Sequence, residues 1–424
     1  MQRTKRLAVI GGGWAGIASA VEATRLGYQV TLFEMAPQLG GRARAVPGDE
    51  PGLDNGQHIL IGAYKETLRL LRTVGVDEAA CFLRTPLRIS DPQGMGLHLR
   101  PGPPMLAFAQ AVWGHGTWRL RDKLSFLRVA AGWALRGFRC DPSSSVVDIT
   151  TALPEAICRD LIDPLCVAAL NTESRDASAS VFLRVLHDAL FSGSGSADLL
   201  LPRVSLSDLL PIPARRWLTE AGAGIRLSHR VDRLEAHGDE WLVDQLPFDY
   251  VVLATTPTEA ARLTRTVAPD WANRAASLRY EPIITLYLRS AGTVLPAPML
   301  ALRTDASSPA QFVFDRGQLG GPSGLLAFVV SGARTWVDRG VDITLQATLR
   351  QARAALGNHL KSPIAVIKVL TEKRATFRCT PGLLRAAQRI APGLHASGDH
   401  VEGPYPATLE GAVRCAVSAV RSFK

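Results

Sequence analysis

The sequence predicts an α/β protein in which a Rossmann-like dinucleotide-binding domain is interrupted by a mixed α+β substrate domain inserted discontinuously. Three observations carry this. The chain opens with an apolar strand that turns through Gly11, Gly13 and Gly16 into an Ala-rich helix. A second apolar strand, Gln29-Val-Thr-Leu-Phe-Glu34, ends in an acid. Far downstream, the Val-rich run at 250–257 and a short strand closing at Gly398-Asp399 read as returns to the same sheet.

Each glycine of the opening turn has its own task. Gly11 permits the tight turn, Gly13 lets a pyrophosphate approach the backbone, and Gly16 lets the helix pack closely on its strand. The free N–H groups of the first helical turn, including those of Trp14 and Ala15, supply an anion site. Glu34 then stands where a carboxylate takes the adenosine ribose hydroxyls, which disfavours a 2′-phosphate and so disfavours NADP.

Continuing along the chain, Gly40-Gly41-Arg42-Ala-Arg44 places two glycines before cations. It reads as backbone and charge beside a phosphate or a flavin ring, or as a solvated turn with surface arginines. Residues 52–64 concentrate Asp54, Asn55, Gln57, His58 and Tyr64 against an apolar background, and the leucines that follow recur at helical spacing until Gly75. His58 has two readings here, a site residue or a hydrogen-bonded structural imidazole. From 104 to 138 the chain is helical and oily, with Trp113, Trp118, Phe126, Trp133 and Phe138 interleaved with Arg119, Arg121, Lys123, Arg128, Arg136 and Arg139. Interfacial helices look like this, and so do helices covering a substrate cavity. A short helix followed by a strand is expected between 214 and 227, and strands of a second sheet at 283–288, 311–314, 325–330 and 365–370. The expected division is therefore 1–80, 213–265 and 386–424 for the cofactor domain, 81–212 for a largely helical substrate and membrane-contact region, and 266–385 for the substrate-domain sheet.

Composition narrows the function classes. A chain of 424 residues with 47% hydrophobic content can fill more than one core. Its formal charge of +10 favours anionic membranes or ligands. Nucleic acid is disfavoured, because no zinc spacing, basic block or aromatic-basic repeat accompanies the charge. The six cysteines lie far apart without C-x-x-C, so they read as reduced, packed thiols, and no metal site is expected. Neither a secretory h-region nor an apolar run of membrane-spanning length is present, which points to the cytoplasm.

The fingerprint with Glu34, Gly40-Gly41-Arg42, Ala396-Ser-Gly-Asp399 and Pro406-Ala-Thr-Leu-Glu-Gly411 resembles the FAD-binding pattern of the flavin amine oxidase and phytoene desaturase superfamily. That resemblance implies FAD as cofactor. It also implies that Gly398 and Asp399 lie near its pyrophosphate and ribityl, that Ala407, Thr408 and Leu409 open a helix facing the flavin, and that the Val231 backbone touches adenine. Superfamily members usually carry tryptophan after Gly-Asp, where this chain has His400, and that departure weakens any transfer of amine oxidation.

Leu53-Asp-Asn-Gly-Gln-His58 with Tyr64, Ala168-Ala-Leu-Asn-Thr172, Leu200-Leu-Pro-Arg-Val204 and Lys373-Arg-Ala-Thr-Phe377 are similar to the hydroxysqualene dehydroxylase family, over nearly the full length. The family implies that reduced flavin removes the allylic hydroxyl of a C30 isoprenoid alcohol in hopanoid precursor synthesis, at the inner membrane surface and beside other squalene-pathway enzymes. Assisted departure of hydroxide needs a proton donor or a strong hydrogen bond. His58 with Asp54 as its orienter is the first candidate, with Asn171 or Tyr64 as alternatives, and His400 is either a further candidate or a cofactor contact. The walls of the substrate cavity are expected at 104–138, at Trp217 and on the Phe-rich strands. With a single dinucleotide fingerprint, FAD is expected to be reduced by an external electron donor. A carotenoid-type desaturase, an amine oxidase and a non-catalytic prenyl-lipid carrier are the competing readings.

Overall fold

The computed structural model describes residues 3–48 and 52–423. Met1 and Gln2, at the head of the basic N-terminal stretch, and Lys424, at the end of the last expected domain segment, lie outside the described residues. The cofactor-type sheet runs in the order Arg389–Ala391, Leu394–Ala396, Tyr250–Leu253, Arg6–Ile10, Gln29–Phe33, Gly224–Arg226. All its neighbours pair in parallel except the edge strand Arg389–Ala391, which is antiparallel.

Side chains alternate across that sheet. Leu7 and Val9 join Val30, Leu32 and Val252 under the helices Trp14–Arg25 and Leu409–Arg421. Ala8 and Ile10 face the other way, onto Trp241, Val243 and Phe248 of a small antiparallel meander. Burial on both faces explains why these strands read as continuous apolar runs. Ser19 Oγ of the first helix donates to Ser397 Oγ, just past the strand Leu394–Ala396, at 3.5 Å, and the first and last helices pack in one cluster, so opposite ends of the chain share one core.

The second sheet is antiparallel, in the order Met299–Ala301, Phe312–Asp315, Leu325–Val330, Tyr280–Arg289, Ala365–Phe377. Ile284, Leu286 and Leu288 face the helix Val341–Leu356, whereas Tyr287 faces Leu53, Leu199 and Leu201. Its last strand continues beyond the expected 365–370 to Phe377. The polar run Thr371-Glu-Lys-Arg hides that extension from an apolarity reading, because much of the strand is only half buried.

Between the cofactor pieces, helices Pro104–Gly114, Leu120–Leu135, Asp163–Leu170 and Ala179–Phe191 form one apolar cluster. Trp118, Phe126 and Trp133 are buried inside it, so of the rings expected at a membrane only Trp113 stands well exposed, at 55%. Among the described residues no helix is long and apolar enough to cross a membrane.

Candidate functional site

Glycine geometry at the start of the chain builds a cradle. Gly11 has φ +106°, and a Cβ there would lie 2.5 Å from the Ala254 carbonyl oxygen. On Gly16 it would lie 1.7 Å from the Gly11 carbonyl oxygen, so helix and strand touch backbone to backbone. Gly13 pairs with Gly40, and a Cβ on Gly41 would meet the Gly13 Cα at 3.0 Å. Two glycine segments thus lie side by side, beneath a helix whose N-terminus has no side-chain cap.

Glu34 closes this end. Its carboxylate accepts from the Gly12 N–H at 2.6 Å and the Ala36 N–H at 2.7 Å, and each oxygen keeps a further lone pair for a ribose hydroxyl. Trp14 turns its ring inward and donates Nε1–H to the Ala43 carbonyl at 3.0 Å, while Ala15 is buried in the first turn. Both side chains are buried, so what these two residues would offer a ligand is their backbone. The Val231 carbonyl, expected at adenine, accepts from Arg262 at 2.5 Å.

The two ends of the chain meet at Arg42. Its Nη2 lies 2.6 Å from Asp399 Oδ1, and its Nη1 donates to the Ala375 carbonyl at 2.6 Å. Of the two readings of the Gly-Gly-Arg turn, the structure therefore places Arg42 against the C-terminal segment rather than in solvent. Next to it, His400 is 2% exposed and its Nε2 has no hydrogen-bond partner in the protein. The ring sits so close over Gly398 that a Cβ there would lie 2.6 Å from Nδ1. Burial, against the pull of Asp399, lowers the His400 pKa to about 4. Beyond it, Ala407 takes φ +57° and Thr408 caps the helix Leu409–Arg421 by accepting from the Gly411 N–H at 2.9 Å.

His58 belongs to the same neighbourhood. Burial lowers its pKa to about 4, an interaction with the Asn55 backbone opposes this, and the Arg42 charge adds to it. The segment carrying it is pinned by Asn55, whose Nδ2 donates to the Arg42 carbonyl at 3.0 Å and to Glu372 Oε2 at 3.2 Å.

Asp54 does not spend its hydrogen bonds on His58, contrary to the expected pairing. Its Oδ1 accepts from the Leu206 N–H at 2.9 Å, and its Oδ2 faces the buried Arg316 at 3.6 Å. Tyr287 brackets the Asp54 backbone, accepting its N–H at 3.0 Å and donating to its carbonyl at 2.8 Å. Burial raises the Asp54 pKa to about 6 despite the Leu206 amide and the Arg316 charge.

Asn171 likewise spends its side chain on partners within the protein. It ends the helix Asp163–Leu170 in the left-handed region, at φ +50°. Its Nδ2 donates to Thr376 Oγ1 at 2.9 Å and to the Glu281 carbonyl at 3.2 Å, while its Oδ1 accepts the Gly332 N–H at 2.7 Å. Tyr64 precedes the helix Lys65–Thr73, and its phenol pKa is raised by burial and by Glu410 and Tyr405. It therefore lies near the start of the C-terminal helix.

An apolar cavity of about 150 Å³ opens within the helical region. Phe108, Phe126, Trp133, Phe138, Leu165 and Leu186 are among its lining residues, all of which are apolar. Trp217, expected as a wall, packs instead on the cofactor-domain core, and the Phe-rich strands bury Phe312, Phe314 and Phe328 within and beneath their own sheet.

Sequence reading missed Gly12, Glu372, Arg316 and Glu410. Gly12 had a signal, since it lies inside the fingerprint. Glu410 caps another helix by accepting from the Glu66 and Thr67 N–H groups at 3.1 and 2.9 Å, a contact across more than 340 residues that no local pattern announces.

A side-chain-free floor, an uncapped helix N-terminus, a carboxylate with free lone pairs and a buried unpartnered imidazole together suit a dinucleotide. Gly11, Gly13, Gly16, Glu34, Gly41, Arg42, Asp399 and the turn at Ala407 to Leu409 are the residues that would hold it. The class defined by this fold and site is the FAD-dependent oxidoreductases, and FAD is the cofactor. Residues 14–422 match the model of the flavin-containing amine oxidoreductases, and the chain belongs to that family.

Within it, the chain is 26% identical over 438 residues to a hydroxysqualene dehydroxylase of Sinorhizobium fredii, covering 97% of this chain and 96% of that one. It is also 26% identical over 443 residues to the enzyme of the same name from Rhodopseudomonas palustris, at 97% and 96% coverage. An oxidoreductase from Methanosarcina mazei shares the fold, with a TM-score of 0.72 and 15% identity over 98% of this chain and 100% of that one.

Proposed function

We propose that the protein reductively dehydroxylates a C30 isoprenoid alcohol, converting hydroxysqualene to squalene for hopanoid precursor synthesis. The observation that carries this reading is the chemistry of the cavity. Its walls are apolar throughout, as a site for a hydrocarbon chain requires. Each CH₂ moved there from water gains about 0.8 kcal/mol, which suits a polyprene. An amine substrate would meet no polar or acidic group on those walls.

Reduced FAD, when bound, supplies the hydride that replaces the hydroxyl. What remains for the chain is to help hydroxide leave. His58 is the proposed group. With its pKa near 4 it is a neutral imidazole at neutral pH with a single N–H, so it assists as a hydrogen-bond donor by turning that N–H from the Asn55 backbone to the substrate oxygen. Tyr64 is the second candidate donor, while Asp54 and Asn171 hold the frame. The same reading has an external donor reduce the flavin, and puts the enzyme on the cytoplasmic face of an anionic inner membrane beside other squalene-pathway enzymes.

Anaerobically reduced, flavin-loaded protein incubated with hydroxysqualene tests the reaction. Squalene is the expected product, and its absence rejects the proposal. A carotenoid-type desaturase would use the same cavity and run the electrons the other way, so turnover of phytoene by oxidised enzyme would favour that reading instead.

A further inference from the structure

Helix Leu120–Leu135 carries three stripes. Asp122, Phe126 and Trp133 face the core. Leu120, Leu124, Leu127, Ala131 and Leu135 follow at spacings of four, three, four and four, which keeps them on one face. Leu120, Leu124 and Leu135 on that face are 59%, 52% and 90% exposed. Arg121, Arg128 and Arg136 each sit one residue further on, about 100° around the helix, so cations flank the apolar stripe.

The preceding helix, Pro104–Gly114, adds exposed Met105, Leu106 and Trp113 and has no charged side chain. Over residues 104–139 there are six cations and a single acid, Asp122, which is buried and accepts from the Arg119 N–H at 3.1 Å. Arg121 lies 3.7 Å from that acid, and the remaining excess of cations beside exposed apolar side chains matches an anionic bilayer, whose headgroups take the cations while its acyl region takes the leucines and the indole.

The cavity opens on this same surface. Met105, Ala131, Ala134 and Phe191 line it and are exposed to solvent as well, so they form its rim. We infer that the face formed by Met105, Leu106, Trp113, Leu120, Leu124 and Leu135 docks on an anionic membrane and seals the cavity mouth against it. A polyprene then passes between bilayer and protein without entering water. This deepens the proposed function and rests on it for the identity of the lipid, whereas the docking itself needs no substrate.

The test uses the full-length, FAD-loaded protein and vesicles without substrate. Wild type is expected to float with vesicles containing one-third phosphatidylglycerol, to bind pure phosphatidylcholine poorly, and to dissociate as salt rises. Brominated acyl chains should quench its emission, and Trp113→Phe should remove most of that quenching. Replacing Arg121 and Arg128 with Gln should weaken binding by about fivefold for each charge. Leu124→Glu with Leu135→Glu should abolish it while leaving the flavin spectrum and melting temperature unchanged, since both side chains are already in solvent.

Ala134→Trp, which fills the rim, should float like wild type yet fail to extract squalene from the vesicles. Wild type that stays unbound with phosphatidylglycerol, or a double glutamate variant that binds normally, overturns the docking. Undiminished squalene uptake by Ala134→Trp overturns the entrance. Neither result depends on whether hydroxysqualene is turned over.

Discussion

The guanidinium of Arg42 and the carboxylate of Asp399 meet at 2.6 Å across 357 residues of sequence. One belongs to the glycine turn beside the cofactor cradle, and the other to the strand-to-helix segment that ends the chain. The pair ties together the two segments proposed to hold FAD, with Ala375 of the antiparallel sheet as third partner.

Arg42→Ala is therefore expected to weaken FAD binding by about tenfold or more, the scale of a lost charge-assisted hydrogen bond. Arg42→Lys should recover only part, because an ammonium cannot reach Asp399 and the Ala375 carbonyl with the same planar fork. Fluorescence titration of apoprotein with FAD measures both.

His400 offers an unpartnered buried nitrogen, and FAD is the group expected to satisfy it. His400→Phe keeps the ring volume and loses the polar atom, so FAD affinity should fall by about fivefold or more, with a changed visible spectrum. His400→Gln should restore part of it. Equal affinity in all three proteins would assign His400 to packing.

Gly16→Ala is expected to prevent stable folding or flavin retention, since its Cβ would lie 1.7 Å from the Gly11 carbonyl oxygen. Loss of the thermal transition, or recovery of colourless protein, checks this.

Asn171→Ala removes three hydrogen bonds and sets an alanine at φ +50°. The cost should be about 2–4 kcal/mol in urea unfolding. Because the side chain holds backbone rather than substrate, kcat of the surviving folded enzyme should change little. A large loss of kcat in folded protein would return Asn171 to the catalytic candidates.

Stability should respond to pH with opposite signs at two sites. The folded pKa of Asp54, about 6, lies above its ordinary value of 3.8, so its contribution is present at low pH and is lost as pH rises through 6. His58 and His400, lowered from 6.5 to about 4, contribute stability above 6.5 that is lost as pH falls through 4. Between pH 7.5 and 5, Asp54→Asn should therefore lose about 1 kcal/mol relative to wild type. Over the same interval His58→Gln and His400→Gln should each gain relative to wild type. Melting temperatures across that range decide.

Much of the cofactor half could be read from the chain itself, because its physics is local. A glycine needed for a turn or a backbone contact must be glycine wherever the fold puts it, and strands buried on both faces advertise themselves as apolar runs. Gly11, Gly16, Glu34 and the returning strand at Tyr250–Leu253 all have such signatures. The oily helices were equally legible as a group.

Tertiary structure alone decided what the polar side chains do. Asp54 turned to Leu206 and Arg316 instead of His58, and Asn171 became a clamp between a helix and a sheet, because their partners come from elements more than a hundred residues away. It also decided that Trp118 and Trp133 fill a core while Leu120 and Leu135 face solvent. Composition counts apolar residues, but only the packing of one helix against its neighbours determines which stripe is buried and which is left for another surface.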